Sequence, residues 1–92
     1  MKVVYTRHAR TRMFQRGSST HAVEEVGLSP SAVVEEYPED QPFPSRLLLG
    51  WPQGEALHLH VAADAASDRL IVVTAYRPDP ARWESDFTRR KP

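Results

Sequence analysis

Ninety-two residues carrying 12 Lys and Arg against 12 Asp and Glu, with formal net charge zero, describe one small domain spanning 1–92, because a chain this short builds a single core. The absence of cysteine excludes a disulfide framework and any thiolate metal site. No stretch approaches the ~20 apolar residues of a membrane span or the apolar core of a signal peptide, so the expected setting is cytoplasmic, with no membrane partner.

The charges are unevenly spread along the chain. Lys2, Arg7, Arg10, Arg12 and Arg16 precede any acidic residue, and six carboxylates then separate Arg16 from the next cation, Arg46. Lys2–Tyr5 is a short apolar start, either a brief strand or an extended lead-in. From Thr6 the pattern turns helical, with Thr6 as N-cap and Gly17 in the position of a left-handed terminator. Ala9 and Met13, four apart, face the core. His8, Arg12 and Arg16, also four apart, form a stripe beside them.

A second short helix follows, capped by Ser19 or Thr20, with Ala22, Val23 and Val26 inward and Glu24 and Glu25 outward. "AVVEEY" (32–37) is a strand candidate, "PEDQPFP" a proline-rich loop and "SRLLLGW" a second strand. In "EALHLHVAAD" the residues Leu57, Leu59 and Val61 alternate with His58, His60 and Ala62, the two-residue period of a strand. "RLIVVTAYR" is the most β-prone run, apolar enough for a central strand. "PDPARWESDF" predicts a terminal helix, with Asp79 as cap, Pro80 first, and Trp83 and Phe87 four apart. The expected fold class is α+β: an N-terminal helical hairpin packed on a three- to four-stranded antiparallel sheet, then a short C-terminal helix. The expected core holds Ala9, Met13, Val23, Val26, Leu47, Leu49, Leu57, Leu59, Val61, Val72 and Trp83.

Two constellations could carry chemistry. His58 and His60, two apart on a strand, point the same way and have a familiar zinc or copper spacing, but the remaining ligands are not identified. The second gathers His8, Arg12 and Arg16 on the first helix, His58 on a strand and Tyr76 at the end of the last strand. Arginine forks bind phosphate bidentately, and histidine moves protons near neutral pH. Together they suffice for metal-independent RNA cleavage. A base takes the 2′-hydroxyl proton, cations stabilise the pentavalent phosphorus, and an acid protonates the leaving 5′-oxygen. The competing reading has Arg12 and Arg16 paired with Glu24, Glu25 or Glu35. No Gly-rich phosphate loop, H-E-x-x-H or G-x-S-x-G motif is present.

The segments "YTRHARTRMFQRG", "EEYPEDQPFPSRLLLG", "ALHLHVA" and "IVVTAYRPDPARW" resemble, in order and spacing, an uncharacterised bacterial and archaeal family of small domains. Its pattern runs YTxHAxxRMxxRG, EYPxDxPxPS, LHVVVA and VYxPDPxxW, and it is grouped with the RelE/ParE toxin superfamily. His60 departs from it, standing where the pattern is aliphatic. The resemblance implies the RelE-like hairpin-on-sheet fold and a toxin–antitoxin setting. Within the superfamily, ParE-type relatives poison gyrase by protein contact and RelE-type relatives cut mRNA; one histidine and two arginines on a single stripe suit phosphate chemistry better. The expectation is therefore a toxin-like endoribonuclease acting on mRNA without a cofactor, with an antitoxin-like small protein as partner. His8, Arg12, His58 and Tyr76 are its catalytic candidates and Arg16, Arg46 and Arg77 its substrate-binding ones, with no metal. The alternative is a non-catalytic interaction module whose basic stripe docks an acidic partner.

Overall fold

The computed structural model describes residues 1–92. Lys2–Tyr5 forms β1, Arg7–Arg16 α1, Thr20–Leu28 α2, Ala32–Tyr37 β2, Ser45–Gly50 β3, Leu57–Asp64 β4 and Arg69–Tyr76 β5. The strands make one sheet in the order β1-β5-β4-β3-β2. β2 to β5 run antiparallel to their neighbours, whereas β1 lies parallel to β5, Lys2 beside Arg69 and Tyr5 beside Val72.

Local chemistry fixes the helix ends. The Thr6 hydroxyl accepts from the Ala9 amide at 3.0 Å, and Gly17 sits at φ 68°, its amide closing on the last turn. The Ser19 hydroxyl accepts from the Ala22 amide and starts α2. Ala9, Met13, Val23 and Val26 are buried against Leu48, Leu57, Leu59, Val61, Leu70, Val72 and Ala75, which form the sheet's inner face. All eleven residues of the expected core are buried, although Leu47, Leu49 and Trp83 lie outside this cluster.

The expected architecture is corrected in two places. The sheet has five strands and is mixed, not a three- or four-stranded antiparallel one, and the helical hairpin follows a strand. Lys2–Tyr5 resolves as an edge strand because its amides and carbonyls find partners on β5, some 67 residues away in sequence. At the far end there is no C-terminal helix. Asp79 caps a single turn, accepting from the Ala81 amide through its side chain and from Arg82 and Trp83 through its carbonyl. The chain then doubles back, with Trp83 bridged to Arg90 and the Lys91 amide donating to Arg82. Phe87 sits at φ 60°, which no helix interior allows. The fully buried His58 gives the physical reason: its Nε2 needs an acceptor, and this hairpin supplies the Phe87 carbonyl at 2.8 Å.

Candidate functional site

α1 takes over from β1 as the neighbour of β5. The Thr6 amide donates to Val72 and its hydroxyl to the Val73 carbonyl at 2.9 Å. Val73 is the bulge residue of β5, skipped where His60 pairs with Thr74 and Val61 with Val72. Beyond this anchor helix and strand run side by side. Four helical residues rise about 6 Å and two strand residues about 6.6 Å, so the His8, Arg12, Arg16 stripe keeps step with Thr74 and Tyr76. His8 Nε2 lies 3.1 Å from Thr74 Oγ1.

Further along, α1 and the C-terminal segment enclose a cleft of about 680 Å³, lined by Arg12, Arg16, Tyr76, Arg77, Asp79, Ala81, Arg82, Trp83, Arg90, Lys91 and Pro92. Six of these are cations and Asp79 is the single acidic side chain. Arg77 is ion-paired with Glu55 and Arg90 with Glu35, while Arg12, Arg16, Arg82 and Lys91 make no ion pair. The pairing of Arg12 and Arg16 with Glu24, Glu25 or Glu35 does not occur: Glu24 instead accepts from the Tyr5 hydroxyl at 2.6 Å. Arg12 Nε is the one buried side-chain nitrogen or oxygen with no hydrogen-bond partner. Such a donor destabilises the fold by about 1–3 kcal/mol unless something accepts from it.

The sheet face turned away from the helices holds the remaining candidates. Register places Tyr37, Ser45, Leu47, His58, His60, Thr74 and Tyr76 on it. A shallower hollow there is lined by Tyr37, Asp40, Leu47, His60, Thr74, Tyr76 and Arg90. Tyr76 and Arg90 line both concavities, so the two adjoin at these residues and are together termed the groove.

His58 is fully buried beneath this groove. A carbonyl only accepts, so Nε2 donates to Phe87 and Nδ1 accepts from the Tyr76 hydroxyl at 3.1 Å. Its ring meets Trp83 and Tyr76 edge to face, at 4.5 and 5.2 Å. Burial pushes its pKa below the usual histidine value, against the Phe87 bond, and pushes the Tyr76 phenol up. His58 is thus a neutral imidazole that holds Tyr76 and the C-terminal hairpin, with no nitrogen left for substrate.

The structure therefore brings Arg12, Arg16, Arg77 and Tyr76 to one groove, with His8 reaching its Thr74 from α1 and His58 supporting it from below. Arg46 is not brought there: it pairs with Glu36 and lines a separate hollow beside Leu28 and Leu48. His58 and His60 share a face without forming a metal-ligand set, since no three His, Asp or Glu side chains converge. Sequence reasoning missed Arg82, Arg90 and Lys91, which the C-terminal hairpin folds into the cleft. It also set aside His60, whose surroundings depend on strand register.

The family model for a domain of unknown function (DUF4258) matches residues 5–77, and the chain belongs to that family. No curated protein and no solved structure matches it.

Proposed function

We propose, from a family whose description assigns no activity, that this domain is a metal-independent endoribonuclease acting on mRNA, the toxin-like member of a toxin–antitoxin pair. The carrying observation is the cleft itself: four cations without counter-ions and an orphaned Arg12 Nε converge beside Tyr76. Guanidinium forks suit the in-plane oxygens of a phosphodiester, and a cation-lined concavity concentrates polyanions. Arg12, Arg16, Arg82 and Lys91 would hold the backbone of a single strand. Tyr76 commits its proton to His58, so its oxygen can accept from a ribose hydroxyl. His8, exposed and 3.1 Å from the Thr74 hydroxyl, is available for proton transfer. The grouping with RelE-type ribonucleases is part of this proposal and rests on the sequence motifs.

Purified protein incubated with single-stranded RNA in a chelating buffer tests it. Cleavage is expected, with loss in Arg12→Ala and in Arg12→Lys, because lysine keeps the charge but not the fork. Arg46→Ala, outside the groove, retains full activity. Intact RNA with wild-type protein, or full activity in Arg12→Ala, overturns the proposal.

A second reading keeps the charge and drops the chemistry: the protein docks an acidic antitoxin-like partner. The outer surface of α1 favours it, because Phe14 is 88% exposed among Arg7 and Arg10. Association would weaken steeply with salt. A partner that binds both the Arg7→Ala, Arg10→Ala and the Arg12→Ala, Arg16→Ala double variants as tightly as wild type uses neither this surface nor the stripe.

A further inference from the structure

We propose that His60 is the general base of this groove, oriented by Ser45 and Asp40, with His8 across Thr74 as the acid; the inference rests on the ribonuclease reading. The Ser45 hydroxyl and Asp40 Oδ2 lie 2.5 Å apart, and His60 Nε2 lies 2.9 Å from the same hydroxyl. A carboxylate only accepts, so Ser45 gives its proton to Asp40 and must accept from His60. This fixes the tautomer: Nε2 carries the hydrogen and Nδ1 the lone pair. Nδ1 has no hydrogen-bond partner, and it is not among the buried unpartnered atoms, so it is open to solvent. Ser45 is buried, and the Tyr37 ring stands edge-on to the imidazole at 5.7 Å, so the ring is held from two sides.

The placement suits a two-histidine reaction. His60 and Thr74 are opposite partners on neighbouring strands, and His8 reaches Thr74 from its other side. Two imidazoles thus flank one threonine, with Arg90 and Tyr76 beside them and the unpaired cations beyond. His60 Nδ1 takes the proton of the ribose 2′-hydroxyl, and the 2′-oxygen attacks the adjacent phosphorus. The bond from phosphorus to the 5′-oxygen breaks, and the 5′-oxygen leaves with the electron pair and takes the proton of a His8 imidazolium. The products are a 2′,3′-cyclic phosphate and a 5′-hydroxyl, and proton exchange with water restores both histidines. The His60 imidazolium formed on the way keeps its Nε2 bond to Ser45 and, through it, the charge of Asp40.

The test measures cleavage of a single-stranded RNA oligonucleotide in chelating buffer. His60→Ala and His60→Gln should each lose about 10²–10⁴-fold in kcat with RNA binding unchanged, and added imidazole should restore part of the rate in His60→Ala. The glutamine variant keeps a donor for Ser45, which guards against loss through misfolding. Ser45→Ala and Asp40→Asn should lower kcat by up to about 10²-fold, with KM unchanged, as expected of positioning residues. His60 variants that cleave at the wild-type rate overturn this assignment and leave the ribonuclease reading standing. Wild-type protein that leaves RNA intact overturns both.

Discussion

The two nitrogens of His58 are both engaged inside the fold, and this makes the domain sensitive to acid. Burial lowers the His58 pKa from its ordinary 6.5, so in mildly acidic solution the unfolded chain binds a proton that the folded chain refuses. Stability then rises with pH across that window, is fully present above about 6.5 and is lost on acidification. Melting followed by circular dichroism should show Tm falling as pH drops below about 6.5, with a flatter profile in His58→Gln. That variant should also be less stable near neutrality, by about 1–3 kcal/mol, because a buried partner is left unpaired. Glu35 acts in a lower window. The Tyr37 hydroxyl and then Arg90 hold its carboxyl below the usual 4.5, so its contribution disappears only as pH falls through the carboxylate range. The strand period showed that His58 and His60 share a face. It could not show which imidazole is sealed in, because that depends on Trp83 and Phe87 folding back over His58 and on β3 bringing Ser45 to His60.

At the level of elements, the close approach of α2 to β3 depends on Gly50. A Cβ there would lie 2.5 Å from Val26 Cγ2, well inside contact distance. Gly50→Ala should therefore destabilise by about 1–3 kcal/mol. Val26→Ala in the same background should recover part of the loss, and denaturant unfolding of the four proteins would read this as non-additivity. The C-terminal hairpin depends on Trp83, whose removal should cost about 3–5 kcal/mol and open His58 to water, seen as faster amide exchange around Thr88. Most elements were legible from local chemistry: both caps, Gly17, and the alternation that delimits β4. Two were not. Lys2–Tyr5 satisfies strand and lead-in patterns equally until β5, at the other end of the chain, offers its edge. Residues 79–87 carry every local mark of a helix, yet only one turn forms, because the Phe87 carbonyl is required by a buried imidazole.

Across the whole molecule, the uneven charge of the sequence becomes a division of surfaces. Glu35, Glu36 and Glu55 each take one arginine, Arg90, Arg46 and Arg77, and four of the cations left unpaired come together from positions 12, 16, 82 and 91. The basic stripe was legible in the sequence, whereas its completion by Arg82 and Lys91 was not, because the hairpin that returns them to α1 has no local signature. No helix is long and apolar enough to cross a membrane. Binding of single-stranded RNA should weaken with salt at a log–log slope of about −0.7 per phosphate contact. The Arg12→Ala, Arg16→Ala variant should show a slope shallower by about 1 to 1.5 in a fluorescence titration. Binding alone would satisfy the docking alternative as well. The measurement that bears on the central claim is mass spectrometry of the ends produced when purified protein acts on an RNA oligonucleotide in chelating buffer. Fragments ending in 2′,3′-cyclic phosphate, paired with fragments beginning in 5′-hydroxyl, are expected from the wild-type protein, and neither from the Arg12→Ala, Arg16→Ala variant. Uncut RNA, or fragments bearing 5′-phosphate and 3′-hydroxyl ends, would contradict it.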